Sequence, residues 1–194
     1  MGIEQYVQDK IIITTHKPDE KEKLFFLISG IIISVPFTLF IGTLTEPLCA
    51  ILPRFLAALC SVALFTPLIE EYAKAYPMFY RHGETERSLF TLGFLVGLGF
   101  GLSEFVLYIL VIRASLPIRL PGLFFHAAST STTTYGIATR RTIQFYLIAV
   151  VLHAMYNFSA FFSSFWYISG AIVVIITYFL AWHFYRKTSV RSID

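Results

Sequence analysis

The chain has 194 residues, of which 56% are hydrophobic and only 14% charged, and its mean hydropathy is +0.69. Soluble domains carry about 25% charged residues, so this composition excludes a soluble globular domain and requires a polytopic membrane protein. A net charge of +3 from scattered basic residues also argues against nucleic-acid binding, and none is expected.

In chain order, residues 1–23 are hydrophilic and mixed in charge. The charged stretch is long, and no small-residue cleavage site follows a short apolar core, so they read as a cytoplasmic arm rather than a cleavable signal. Six apolar segments follow, at 24–44, 53–80, 88–112, 119–139, 142–163 and 165–185, each near the roughly 20 residues that a bilayer requires. The second contains Pro67, which frees a carbonyl one turn earlier and can open a helix beside a cavity. The third repeats Gly93, Gly97 and Gly101, a spacing that lets another helix approach closely. The fourth carries hydroxyls from Ser129 to Thr134, most of which are expected to bond back to the preceding turn. The expected fold is all-α: a polytopic membrane helical bundle of about six transmembrane helices spanning 24–185, with a tail at 186–194.

Lysine and arginine set the orientation. With the N-terminus inside, eleven of the 15 basic residues fall on cytoplasmic pieces. Three, Arg54, Arg113 and Arg119, fall outside, and Lys74 lies within the membrane. Both termini are therefore expected to be cytoplasmic, in a multi-pass integral membrane protein of the cytoplasmic membrane if the source is prokaryotic. Cys49 falls near an outer loop and Cys60 inside the second span. No disulfide is expected between them; both read as small apolar residues.

Charge inside these spans is the informative feature. Glu70, Glu71 and Lys74 lie within five residues of the second segment, and Glu104, His126 and His153 add one ionisable group to each of three others. Such groups are costly in a bilayer and face a protein interior where they do a job. At about 1.5 Å per residue, Glu70, Glu104, His126 and His153 lie roughly 16 to 25 Å from the cytoplasmic ends of their segments, a band about 10 Å deep. His153 and Asn157 share a helical face, as do Glu104 and Tyr108, and His126 and Thr130. His16, His82 and His183 read as solvent or interface residues.

Several hydrolase plans are excluded. Asp9, Asp19 and Asp194 are the only aspartates and all lie in tails, so there is no aspartyl pair. His-Glu-x-x-His and Gly-x-Ser-x-Gly are absent. Carboxylates and imidazoles remain, and they suit water activation. Glu70 or Glu71 can act as base, with Lys74 keeping one of them ionised. Two histidines and a glutamate, for instance Glu71, His126 and His153, also satisfy a catalytic zinc with one open position. Spacing does not decide between a metal-dependent and a metal-free mechanism, or between Glu70 and Glu71.

Four blocks on successive segments resemble the PrsW family of intramembrane proteases, related to the superfamily of CAAX prenyl proteases and bacteriocin-processing enzymes. They are Glu70-Glu71-Tyr72-Ala73-Lys74; Gly97 to Glu104 with Tyr108; His126 with Thr130; and His153-Ala154-Met155-Tyr156-Asn157-Phe158. The sequence departs from the family at Phe105, where Asn is usual, so an amide hydrogen bond is not expected there. The resemblance implies hydrolysis of a peptide bond in a membrane-anchored protein substrate. It implies that Glu70 or Glu71 activates water, that His126 holds that water or a metal, that His153 with Asn157 stabilises the oxyanion, and that Glu104 supports or ligates. Two other readings fit intramembrane charge: a proton-coupled transporter or channel, and a non-catalytic membrane scaffold.

Overall fold

Asp19 starts the first helix. In the computed structural model, which describes residues 16–81, 84–111, 113–162 and 165–189, the Asp19 side chain accepts the Glu22 N–H and the Glu22 side chain accepts the Asp19 N–H. This capping box satisfies two N–H groups. Residues 1–15, His82, the last residue of the 142–163 segment and the tail from 190 to 194 lie outside the described residues. Helix α1 runs Glu20–Ala50, beyond both ends of the expected 24–44. Thr45-Glu46-Pro47, a turn signal in the sequence, is helical. Hydroxyls of Thr43 and Thr45 bond carbonyls of the preceding turn there, the kind of local adjustment that lets membrane helices tolerate proline.

The longer helix corrects the expectation for the cysteines. Cys49 stays helical, a three-residue turn follows, and the next helical segment brings Cys60 back beside it. The two are joined as a disulfide with Cα atoms 5.6 Å apart.

The second crossing is one 27-residue segment, Arg54–Tyr80, built from four pieces. They are α2 (Arg54–Ala58), a π-helical stretch (Leu59–Phe65), α3 (Thr66–Ala75) and a 3-10 turn (Tyr76–Tyr80). The π-helical stretch ends at Phe65, two residues before Pro67. Thr66 N–H bonds five residues back, to the Ser61 carbonyl. Pro67 has no N–H to continue that pattern, so the Val62 carbonyl lacks a donor at the same spacing. Asn157 Nδ2 donates to it at 2.9 Å instead.

Helices α4 (Glu86–Leu110), α5 (Leu116–Ala138), α6 (Thr142–Ser159) and α7 (Trp166–Lys187) complete the bundle. No strand occurs among the described residues, only an isolated bridge between His16 and Glu84. Among the described residues, five segments are long and apolar enough to cross a membrane. Helix α5 is a sixth by length, about 34 Å, but its hydroxyls lower its hydropathy. It sits at the centre, packed by α4, α6 and α7, and every side chain from Phe125 to Thr134 is buried. Of the six hydroxyls expected for the most part to bond back to the preceding turn, half do so: Ser131, Thr132 and Thr134. Ser129, Thr130 and Thr133 have buried hydroxyls without a hydrogen-bond partner.

The glycines of α4 set the α4–α5 distance. A Cβ at Gly97 would lie 2.7 Å from Thr130 Oγ1 and 2.8 Å from Ala127 Cα, and one at Gly101 2.6 Å from the Leu123 carbonyl oxygen. The α5–α6 turn closes tightly: Arg140 takes a positive φ of 57°, and Arg141 N–H bonds the Gly136 carbonyl at 2.7 Å. That turn returns α6 antiparallel to α5.

Two outcomes test this architecture. Cys49 and Cys60 resist a maleimide probe in unfolded, unreduced protein and react after reduction, and Cys60→Ser lowers stability by about 2 to 3 kcal/mol. Gly97→Ala forces α5 away and costs about 1 to 3 kcal/mol, read as a lower unfolding temperature in detergent.

Candidate active site

Helix α3 places Glu70, Glu71 and Lys74 in the interior, at 6%, 0% and 1% exposure. Helix α4 adds Glu104, α5 adds His126 and α6 adds His153, and the two histidines are buried. The α5–α6 turn sets the imidazoles together, with ring centroids 5.1 Å apart. Phe125 packs against both rings, and Phe100 packs on His126.

Glu71 Oε1 is the hub. It accepts from Lys74 Nζ at 2.5 Å and from His153 Nδ1 at 2.8 Å. Lys74 Nζ also reaches His126 Nδ1 at 3.0 Å, and His126 Nε2 lies 2.6 Å from Glu104 Oε2. An ammonium has only donors, so Lys74 donates to His126 Nδ1, and the Nε2–H of that ring donates to Glu104. The Nδ1–H of His153 donates to Glu71, which leaves His153 Nε2 as an acceptor. That nitrogen lies 3.7 Å from Glu70 Oε2, which has no hydrogen-bond partner.

Consecutive helical residues point about 100° apart, and the two glutamates divide accordingly. Glu71 turns into the ion pair. Glu70 lines a cavity of about 440 Å³ together with Glu104, whose side chain keeps 26% exposure. Tyr108 lines the same cavity, with the Arg119 guanidinium 3.3 Å from its ring centroid. Thr130 packs against Gly97, outside the hydrogen-bonded chain. Asn157 is committed to the Val62 carbonyl. The α1 and π-helical walls of the cavity, including Thr38, Glu46 and Ser61, carry no motif that sequence reading recognises.

Glu70, His126 and His153 each offer one ligand atom, all within 4.8 Å of one another. Two imidazoles and a carboxylate are the donor set of a catalytic zinc, and the unpartnered Glu70 oxygen and free His153 Nε2 fit that use. Glu71, named in the sequence-derived set, holds His153 by its other nitrogen, the usual support of a metal-bound histidine. His126 uses both nitrogens already, so an ion there takes the place of one of its present partners.

The fold and this polar centre define a multi-pass membrane hydrolase. Its class is narrower still: the chain belongs to the PrsW family intramembrane metalloproteases, whose family pattern matches residues 21–183. It is thus a membrane peptidase by family. No curated protein and no solved structure matches it.

Lys74→Met leaves Glu71 buried without its cation. Such a change costs about 3 to 5 kcal/mol, read by thermal unfolding in detergent, and the double variant Lys74→Met/Glu71→Gln regains part of the loss.

Proposed function

We propose that this chain cuts a membrane-anchored protein within or beside the bilayer, using Glu70, His126 and His153 to hold a metal ion and Glu104 to move protons. The observation that carries this reading is the convergence of those three ligand atoms, with an unpartnered Glu70 oxygen, on a cavity that Glu104 also lines. When bound, the ion supplies Lewis acidity toward the scissile carbonyl and toward water. Glu104, the least buried of the site carboxylates, takes the proton from the attacking water and returns it to the leaving amine. Glu71 fixes the tautomer and the tilt of His153, and Glu104, accepting the Nε2–H of His126, does the same for that ring, whose Nδ1 is the nitrogen left for the ion in place of Lys74. Asn157 acts through the backbone: it satisfies the carbonyl that Pro67 leaves open and so holds the turn above Glu70. The distribution of basic residues supports cytoplasmic termini, and the disulfide supports placing the α1–α2 end on an oxidising face, as in a prokaryotic cytoplasmic membrane. The motif order supports kinship with the CAAX prenyl protease and bacteriocin-processing superfamily.

The test separates ligand from base. Glu70→Gln, His126→Ala and His153→Ala lose both bound metal, by elemental analysis of the purified protein, and cleavage, by sequencing new protein termini in cells. Glu104→Gln keeps the metal and loses cleavage by about 100-fold or more. Retained cleavage in Glu70→Gln and His153→Ala contradicts the proposal.

A further inference from the structure

The cavity over Glu70 and Glu104 extends to a rim on α1, where Leu39, Thr43 and Glu46 are exposed. Its lining holds three carboxylates, Glu46, Glu70 and Glu104, and no lysine or arginine among the described residues. At the floor, Glu70 Oε2 is buried without a hydrogen-bond partner, and so is Thr38 Oγ1 on the α1 wall. Two buried polar atoms open to one cavity mark it as built to receive a polar ligand.

Glu46 is the unexplained member. It lies one turn from the C-terminal end of α1, where the helix dipole disfavours a carboxylate, and the last turn supplies no basic residue. No ion pair to it occurs among the described residues. Nor does the active-site network reach it: the hydrogen bonds of Glu71, Lys74, His126 and His153 close on one another and on Glu104. A carboxylate at the exposed rim of an acidic cavity with low-dielectric walls attracts cations and rejects anions.

We infer that Glu46 is a specificity residue: it selects substrates that carry a lysine or arginine close to the scissile bond, on the side toward the α1–α2 end of the bundle. The inference rests on the peptidase reading of the site beneath. The segment next to the cut lies along α1 and the π-helical stretch, its backbone groups meeting the hydroxyls of Thr38 and Ser61, and its cationic side chain meets Glu46 at the rim.

The experiment uses fluorescent single-span peptides of Leu and Ala with a short Gly-containing stretch, each carrying Lys, Gln or Glu near one end of the span. Binding is measured by anisotropy to the full chain bearing Glu70→Gln, held in nanodiscs of uncharged lipid. The Lys peptide is expected to bind about tenfold more tightly than the Glu peptide, Glu46→Gln to remove the difference, and Glu46→Lys to reverse it. An order of affinities unchanged by Glu46→Lys, or equal binding of all three peptides, overturns the inference. Cleavage of the same peptides by the chain with Glu70 intact is scored separately. Cutting without charge preference overturns this inference and leaves the peptidase reading standing. Glu46-dependent binding with no cutting leaves the recognition site and removes the peptidase reading.

Discussion

The structure depends on one buried ion pair, Glu71 with Lys74. A carboxylate and an ammonium without solvent exposure are each expensive to desolvate, and their attraction recovers that cost only with good geometry and further hydrogen bonds. Here the further bonds run to the two histidines of the candidate site. Glu71 uses the same oxygen for His153, and Lys74 uses a second proton for His126. The pair therefore determines the tautomers and ring planes of two histidines on two other helices. Stabilising the charges and aiming the imidazoles are one arrangement, which accounts for such costly groups being kept in a membrane.

Around that pair, backbone irregularity is matched by side chains from elsewhere. The π-helical stretch brings the chain into Pro67 and turns Glu70 toward the cavity, and Asn157 closes the hydrogen-bond gap it leaves. Tyr146 also donates to the Leu68 carbonyl, at 2.8 Å. Both supports come from α6, the helix that carries His153. The element supplying one imidazole thus also steadies the turn that supplies the glutamates.

Much of this was legible in the sequence because membranes make polarity conspicuous. Six apolar stretches gave a helical bundle, and the ionisable residues within them marked the four helices that meet. The glycine spacing of α4 correctly signalled a close helix contact. Other features depend on geometry that residue type does not encode. Which glutamate faces the cavity is a matter of about 100° of helical rotation, here decided by the π-helical stretch. Asn157 looks like a partner of His153 by spacing, yet a backbone carbonyl without a donor captures it. The disulfide was hidden because Thr45-Glu46-Pro47 reads as a turn in water but remains helical here, which carries Cys49 to the same level as Cys60. The cavity wall on α1 has no signature because a wall needs only shape and a few hydroxyls.

Helix α5 has a consequence for how the protein is made. A segment is admitted to the bilayer according to its own partition free energy while it is still surrounded by lipid or translocon. With a histidine and a run of six hydroxyl residues, α5 is a poor candidate for insertion alone, although it is the best-packed helix of the finished bundle. Its neighbours α4 and α6 are strongly apolar and joined to it by short turns, so α5 must be carried in as part of a helical hairpin and not as an independent stop. The most deeply packed helix is thus the one least able to reach the membrane unaided. The buried polar centre therefore comes together only once the helices around α5 are in the bilayer with it.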